Sequence, residues 1–259
     1  MKNFKRGLIP MRDGISLSRS MSAKTPEERT HMDMIPYASV IGSIMYVMLC
    51  TKPTVAYALS VTSKYQVDPG LKFWKIVKCI LKYLRRTKDL FLVYGGSSLR
   101  VEGYTDSSFQ FDVDDSKSNS GYVFTLNGGA MCWKSSKQDT TVDSTIEAEY
   151  IAVAEATKEG VWMKKFIIDL GVVPSNEESI PLYCDNNEAI TQAKELRSHQ
   201  KSKHVLRRFH LIREIVTRKD VVVKRVPSED NIADPLTKPL SQIVFERHKG
   251  LMGTRHVGD

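Results

Sequence analysis

Strand-like and helix-like segments alternate along the second half of the chain, and this alternation restricts the fold more than any other feature. Residues 99–106, L-R-V-E-G-Y-T-D, place apolar and polar side chains in turn and end at Asp106. Such period-two alternation is typical of a half-buried β-strand. Further strand patterns cover residues 120–126, 130–135, 181–185 and 221–226, and helix patterns cover residues 145–170, 187–196 and 199–219. A mixed α/β layered domain is therefore predicted.

The first half of the chain has mainly helical patterns. Helix patterns cover residues 36–50, 54–67 and 72–86, and a short strand pattern follows at residues 91–94. The third of these helices has a basic face, for which a solvated surface and a nucleic-acid contact are equally good interpretations. Residues 1–30 are polar and basic, so we expect a poorly ordered segment. The sequence Gly-Gly-Ser-Ser at residues 95–98 is the predicted domain boundary.

The chain is basic, which favours an anionic partner. Its 259 residues carry a formal net charge of +8, although a solubilising surface charge is an alternative explanation. Residues 197–219 hold eight basic residues and one acidic residue. A protein that bound phosphate through bulk charge alone would not need to separate a basic stripe from its acidic residues in this way.

Targeting and redox signals indicate an intracellular protein. No apolar run follows the charged residues at 1–11, so no signal peptide is expected, and the apolar stretch 40–50 is too short to span a bilayer. The four cysteines form no C-x-x-C pair, which disfavours a zinc ribbon. Their apolar neighbours favour buried thiols in a reducing compartment. We expect a cytoplasmic or nuclear location, without secretion and without a membrane partner.

Acidic residues at the ends of strand patterns are candidates for one shared site. Asp106 and Asp185 each end a predicted strand, and α/β sheets form their sites where neighbouring strands end. In the long helix that begins near residue 145, Ser144 and Glu147 fit a capping box. Glu149 instead starts the small-residue face that would pack on the sheet. Glu149 is therefore the better candidate for the site.

Asp234 is a fourth candidate, because it lies just beyond the last strand pattern. The alternative is that it caps a short helix with Pro235 at the first position, while Glu229 and Asp230 have the pattern of exposed turn acids. Four converging carboxylates would repel one another, and two hard divalent cations would remove that repulsion. Two such ions about 3.5–4 Å apart can activate water and stabilise the leaving oxygen of a phosphodiester. From spacing alone, four unrelated surface acids remain an alternative.

Seven segments, in this order, make the chain similar to a known family. They are I-P-Y-A-S-V-I-G-S-I-M-Y-V-M-L-C-T-K-P-T-V-A-Y-A-L at 35–59, G-Y-T-D-S at 103–107, K-S-N-S-G-Y at 117–122, S-T-I-E-A-E-Y-I-A-V-A at 144–154, Y-C-D-N at 183–186, S-K-H-V-L-R-R-F-H-L-I-R-E at 202–214 and A-D-P-L-T-K-P-L at 233–240. Over nearly its whole length the chain resembles the C-terminal part of the Pol polyprotein of copia-type LTR retrotransposons.

The resemblance implies a ribonuclease H-like domain at residues 99–240, with a mixed five-stranded sheet and flanking helices. A small, mainly helical remnant of the reverse transcriptase thumb or connection would precede it at residues 31–96, and residues 241–259 would form a C-terminal tail. The implied activity is endonucleolytic hydrolysis of the RNA strand of RNA/DNA hybrids during reverse transcription. In-line attack by water would leave a 3′-OH and a 5′-phosphate.

The family's D-E-D-D motif, matched residue by residue, implies a site for two Mg²⁺ ions, with Mn²⁺ as an alternative. Its residues, as catalytic groups and as metal ligands, would be Asp106, Glu149, Asp185 and Asp234. A basic helix beside the site is expected to contact the phosphates of the hybrid, which is recognised by groove shape and the 2′-OH rather than by sequence. The contacting residues would be Lys201, Lys203, His204, Arg207, Arg208 and Arg213.

Two departures from the family pattern limit what the chain is expected to do. It contains no Y-x-D-D pair of the polymerase palm, so we expect no nucleotide addition. The cellular enzymes have a histidine before the last aspartate, whereas residues 224–230 contain none, and His204 or His210 would have to replace it from another segment. Other Pol or Gag-Pol segments are the expected protein partners. The alternative function is a catalytically silent, nucleic-acid-binding relic of a truncated retrotransposon.

Overall fold

A five-stranded mixed sheet lies at the centre of the computed structural model, which describes residues 7–95, 100–171, 179–194, 212 and 214–256. The strands in these ranges are β1 (Leu90–Leu92), β2 (Val101–Ser108), β3 (Asn119–Leu126), β4 (Gly129–Lys137), β5 (Ile180–Cys184), β6 (Val221–Arg225) and β7 (Thr254–His256). The large sheet has the order β4-β3-β2-β5-β6, and β1 pairs separately with β7.

Helices cover both faces of this sheet. Those used below are α1 (Pro26–Asp33), α2 (Tyr37–Thr51), α3 (Ala56–Ser63), α4 (Leu71–Arg86), α5 (Thr145–Leu170), α6 (Asn187–Lys194) and α7 (Gln242–Leu251). Two 3₁₀ turns, Ser228–Asp230 and Asp234–Leu236, follow β6. The second of these turns contacts β2 and β3 on one side and the C-terminal helix α7 on the other.

The strand pairing is that of a ribonuclease H-like fold. Antiparallel pairs join β2 to β3 and β3 to β4, and Asn127 and Gly128 form the tight turn between β3 and β4, with φ of 50° and 76°. Positive φ at both positions is what an Asn-Gly hairpin turn requires. Strand β5 lies parallel to β2, and β6 lies parallel to β5. The predicted mixed five-stranded sheet with flanking helices, preceded by a mainly helical region, is confirmed.

Helix α5 packs closely on one face of the sheet because the contacting side chains are small. Val153, Ala156 and Gly160 are buried on this face, as the sequence pattern predicts. A Cβ at Gly160 would lie 2.9 Å from Cγ2 of Val221, so a side chain there would push the helix away from β6. Close packing at this point fixes the direction in which the start of α5 faces the strand ends.

The N-terminal helices cover part of the opposite face of the sheet. Ala56 at the start of α3 shares a buried apolar cluster with Val123, Ala130 and Leu236. The indole N–H of Trp133 donates to the sulfur of Met48 at 3.4 Å. The helical region and the sheet are therefore joined by a packed interface, beyond the chain connection itself.

The N-terminal segment that was predicted to be poorly ordered and the predicted C-terminal tail are both packed against the rest of the chain. Met11 and Leu17, within the expected lead-in 1–30, are buried in the helical core, and α1 begins there with a capping box formed by Thr25 and Glu28. In the expected tail 241–259, Phe245 of α7 meets the ring of Tyr83 edge-on at 5.6 Å. Their apolar residues are too sparse for a periodic pattern, and each fills a gap in a core built by other segments. Residues 96–98 of the predicted boundary lie outside the described residues.

The cysteines are less uniformly buried than their neighbours in the sequence suggest. All four are free thiols, with Cys184 buried and Cys50 exposed. Cys50 lies on α2, which buries a narrow stripe made of Tyr37, Ile41 and Ile44. Within the described ranges, no single helix has the length and hydropathy to cross a membrane, although α1 and α2 pass that test together as a pair bent by 48°.

A buried aspartate ties the helical region to the loop between β2 and β3. The carboxylate of Asp112 is 2% exposed and lies 2.5 Å from Nζ of Lys64 and 3.1 Å from Nζ of Lys137. Burial alone would raise the pKa of Asp112, but the hydrogen bonds from Lys64 and from the Asp114 amide lower it. Asp114 in turn accepts from the Arg19 amide at 3.0 Å.

We expect Asp112→Asn to destabilise the chain by about 1–3 kcal/mol, because it leaves two lysines without a buried counter-charge while both remain partly solvated. Thermal denaturation measures this loss as a lower Tm. Asp115→Asn is the matched control, since Asp115 pairs with Lys137 at a site that is 37% exposed, and it should cost under about 1 kcal/mol. Equal losses for the two variants would contradict the assignment of Asp112 as the main link.

Candidate metal centre

Asp106 and Asp185 meet where the parallel pairing of β2 and β5 ends. The last paired residues are Tyr104 and Tyr183, so continuing that register by two residues places Asp106 beside Asp185. The prediction that Asp106 ends its strand needs correction. Strand β2 continues to Ser108 because its antiparallel ladder with β3 is longer than its ladder with β5.

The turn after β5 leaves the carboxylate of Asp185 available to the site. The side-chain oxygen of Asn186 accepts from the Ala189 amide at 2.9 Å and so caps the start of α6. Capping by the residue next to Asp185 means that Asp185 itself is not needed for this role. In the segment Y-C-D-N, the asparagine is therefore structural and the aspartate is the candidate ligand.

The carboxylate of Asp106 is enclosed by polar groups from a distant segment. The residue is 2% exposed, the Thr237 hydroxyl donates to its Oδ2, and Nζ of Lys238 lies 3.5 Å from the same oxygen. Burial raises the pKa of Asp106 to about 7, with Lys238 opposing this rise and the charge of Asp234 adding to it. A buried carboxyl held in this way gains from any additional positive charge at the site.

The first turn of α5 separates the two glutamates. Ser144 caps the helix, and its hydroxyl accepts from the Glu147 amide at 3.2 Å. The Glu147 carboxylate accepts from the Asp143 amide at 3.3 Å. Glu147 therefore serves the helix start, as the sequence pattern predicts, although its partner is Asp143.

Glu149 lies two residues after Glu147, on another side of the helix. It faces β2 and the end of β5. It is buried, and its Oε1 accepts from the Ser107 amide at 3.2 Å. Burial raises the pKa of Glu149 well above its ordinary value, and the charges of Asp106 and Asp185 raise it further. The structure thus brings Glu149 into the same cluster as Asp106 and Asp185.

Asp234 reaches the cluster as the first residue of a 3₁₀ turn. The N-cap of that turn is Ala233, so the alternative that Asp234 is merely a cap does not hold. Its Oδ1 lies 3.1 Å from Nζ of Lys238. Burial raises the pKa of Asp234, and the positive charge of Lys238 lowers it.

Hydrogen bonds to the sheet hold the segment that carries Asp234. The side-chain amide of Asn231 donates to the Thr105 carbonyl at 3.0 Å, and that of Asn119 donates to the Leu236 carbonyl at 3.2 Å. Gly121 lets the segment approach, because a Cβ there would lie 2.8 Å from Cβ of Leu236. Asp234 is positioned by β2 and β3, although it lies far from them in the sequence.

The four carboxylates form one cluster that suits a hard divalent cation. Ligand atoms of Asp106, Asp185 and Asp234 lie within 4.8 Å of one another, as do those of Glu149, Cys184 and Asp185. Asp185 belongs to both groups and joins them. Among the described residues, one ammonium group, that of Lys238, pairs with this cluster. Several carboxylate oxygens with a surplus of negative charge match the preference of Mg²⁺ and Mn²⁺.

We expect the metal-free protein to lose stability as the pH rises from about 4 to about 7. The folded-state pKa of Asp106 is raised from 3.8 to about 7, so the folded state holds a proton that the unfolded state has released, and stability falls across this window. A divalent cation should remove this loss because it stabilises the ionised carboxylates.

Thermal denaturation at a series of pH values, in EDTA and in excess Mg²⁺, tests this expectation. The difference between the two curves cancels contributions from titrating groups outside the site. A difference that does not grow with pH would contradict the assignment. Asp106→Asn, which lacks the titrating group, should show a smaller growth than the wild type.

Several site residues escape the sequence patterns. Thr237, Lys238 and Asn231 contact the cluster or hold its segment in place, and a buried thiol, that of Cys184, lies 4.0 Å from Oε2 of Glu149. The spacing of Asp234 and Lys238, four residues apart, is the one sequence signal that is consistent with their ion pair. The predicted nucleic-acid contacts lie outside the described residues: Lys201, Lys203, His204, Arg207, Arg208 and Arg213.

Together the sheet and its acidic centre define a ribonuclease H-like α/β protein. The chain is 41% identical over 253 residues to the retrovirus-related Pol polyprotein from transposon TNT 1-94 of Nicotiana tabacum. The match covers 98% of this chain and 19% of that protein. The chain is a homologue of retrovirus-related Pol polyproteins from plant transposons. It spans about a fifth of the length of the Pol relative from Nicotiana tabacum.

Other comparisons are less extensive. Secreted RxLR effector protein 161 of Plasmopara viticola is 41% identical over 133 residues, which make up 51% of this chain and 94% of that protein. A solved structure of LC11-RNase H1, isolated from compost, is 20% identical with a TM-score of 0.40, and the match covers 53% of this chain and 92% of that one. The fold is assigned from the strand order described above and not from this likeness. No protein-family model matches the chain.

Proposed function

We propose that this chain is the ribonuclease H segment of a copia-type retrotransposon Pol polyprotein and hydrolyses the RNA strand of RNA/DNA hybrids. One observation carries the proposal. Four carboxylates selected from separate sequence motifs converge at one end of the sheet, where Asp185 joins the group of Asp106 and Asp234 to that of Glu149. Homology to Pol polyproteins of plant transposons supports this assignment.

The proposed site holds two Mg²⁺ ions, or Mn²⁺, on Asp106, Glu149, Asp185 and Asp234. When bound, such a pair supplies Lewis-acid activation of water and stabilises charge on the leaving oxygen of a phosphodiester. The protein's own contribution is to fix the carboxylates in place. The Ser107 amide orients Glu149, and the Thr237 hydroxyl orients Asp106. Rigid placement of ligands lowers the cost of assembling the site for each reaction.

We further propose that substrate choice depends on the 2′-OH and the groove shape of the hybrid rather than on base sequence. Phosphate contacts from the basic segment 197–219 would make binding sensitive to salt. We expect no nucleotide addition by this chain, because it lacks the Y-x-D-D pair of a polymerase palm. Polymerisation would come from other Pol segments, which we propose as its partners.

The deciding experiment is cleavage of an end-labelled RNA/DNA hybrid by the full chain with Mg²⁺, and with EDTA as the control. We expect cuts within the RNA strand of the hybrid, and none in single-stranded RNA, duplex RNA or duplex DNA of the same sequence. Products should carry a 3′-OH, which a polymerase can extend. Salt-sensitive binding of the hybrid without any cleavage would instead support the catalytically silent relic.

A further inference from the structure

The ammonium group of Lys238 lies between two of the proposed metal ligands. Its Nζ is 3.1 Å from Oδ1 of Asp234 and 3.5 Å from Oδ2 of Asp106. The two carboxylates are 10% and 2% exposed, whereas the lysine side chain is 37% exposed. The charged end of Lys238 therefore reaches into the cluster from its solvent side.

A divalent cation on the same two oxygens would be repelled by Lys238 in this position. Mg²⁺ binds carboxylate oxygens at about 2.0–2.1 Å. A cation on Oδ1 of Asp234 would then lie at most about 5 Å from an ammonium that is 3.1 Å from that oxygen. Both groups are positive and would compete for the same lone pairs, so repulsion at this distance favours one occupant at a time.

A backbone hydrogen bond and a buried neighbour hold the main chain of Lys238, whereas its side chain is partly exposed. The Lys238 amide donates to the Asp234 carbonyl at 3.2 Å, within the turn that Asp234 begins. The neighbouring Thr237 is fully buried, and its hydroxyl holds Asp106. Rotation of the long lysine side chain toward solvent would vacate the two oxygens and leave both carboxylates where they are.

We propose that Lys238 is an exchangeable internal counter-ion: its ammonium neutralises Asp106 and Asp234 while the divalent cation is absent, and it leaves for solvent when the cation binds. This role makes Lys238 a positioning residue for the metal ligands. It keeps the acidic centre assembled in the metal-free protein and lowers the apparent affinity for metal. The proposal rests on the metal site of the proposed function and deepens it.

Calorimetric titration of the full chain with Mn²⁺ tests the competition. We expect Lys238→Met to bind the ion about tenfold more tightly than the wild type, within the usual range of coupling between two ligands. Lys238→Arg, which keeps a positive charge, should remain near the wild type. Lys164→Met is the matched control, because Lys164 pairs with Asp220 at 3.4 Å and is not part of the cluster, and its affinity should not change. Unchanged or weaker binding by Lys238→Met would overturn the proposal.

Nuclear magnetic resonance of ¹⁵N-lysine-labelled wild type tests the movement itself, and it does not depend on whether Lys238→Met folds. An ammonium held by two carboxylates exchanges its protons slowly with water, so its signal should be present without metal and lost at saturating Mg²⁺. The signal of Lys164 should be unaffected. A Lys238 signal that survives metal saturation would show that the ammonium stays in place and would exclude exchange.

The outcomes separate this proposal from the proposed function. If the protein binds Mn²⁺ and releases Lys238 but does not cut the hybrid, the counter-ion proposal holds and the proposed nuclease function is wrong. If the protein cuts the hybrid while Lys238 stays in place, the proposed nuclease function holds and the counter-ion proposal is wrong. Absence of Mn²⁺ binding in both the wild type and Lys238→Met overturns both.

Discussion

Asp106→Asn should reduce cleavage of an RNA/DNA hybrid by about 10³-fold, the largest effect expected from any single change in the described residues. A carboxylate that holds a catalytic cation contributes to several kilocalories per mole of charge stabilisation, and each 1.36 kcal/mol is a factor of ten in rate. Asparagine keeps the shape of the side chain and its bond with Thr237. The measurement is the single-turnover cleavage rate at saturating Mg²⁺.

The same variant should be more stable than the wild type when no metal is present. Asp106 is a buried carboxyl whose pKa is raised to about 7, so at pH 8 its charge opposes folding. Loss of activity together with a higher Tm in EDTA distinguishes a lost ligand from a misfolded chain. Asp230→Asn serves as the control, because Asp230 forms a half-exposed ion pair with Arg247, and it should retain full activity. A lower Tm for Asp106→Asn would contradict the assignment.

Glu149→Gln and Glu147→Gln form the second and sharper pair, because two glutamates only two residues apart on the same helix have different roles. Glu149 is buried against β2, and its carboxylate faces Asp106 and Asp185. Removing its charge should lower the cleavage rate by about 10²–10³-fold, since it removes a metal ligand while glutamine still accepts from the Ser107 amide.

Glu147→Gln should leave the cleavage rate within about twofold and cost at most about 1 kcal/mol in stability, through the helix start alone. Single-turnover kinetics and thermal denaturation of both variants, measured side by side, decide the matter. If Glu147→Gln lost activity while Glu149→Gln kept it, the assignment of Glu149 as the metal ligand of α5 would be wrong.

Residues within regular elements show how far sequence patterns reach. The spacing of Glu149, Ala156 and Gly160 predicts a buried face of α5, and the structure buries all three. The alternation before Asp106 predicts β2, although the strand runs two residues further than expected. In both cases the period of the pattern matches the geometry of the element that forms. The local sequence is therefore sufficient to predict the element and its buried face.

Contacts between distant segments could not be predicted in this way. Asn231 holds its segment by bonding to a backbone carbonyl of β2, and nothing in the sequence marks that choice of partner. Strand β7 has three residues with no alternation, and it forms only because β1 offers a free edge. The role of Lys238 cannot be predicted from its own segment, since it depends on Asp106, which lies on a distant strand.

The pairing of β7 with β1 determines when the helical region can finish folding during synthesis. Phe245 fills the core beside Tyr83, and residues 254–256 complete the small sheet, so α2 to α4 wait for residues made more than 150 positions later. Contacts of such long range slow folding and leave apolar helix faces open to aggregation or to chaperones in the meantime. A stop codon after residue 240 would therefore leave Tyr83 without Phe245, and it would also remove Met252 from the buried cluster that it shares with Val123 and Leu236.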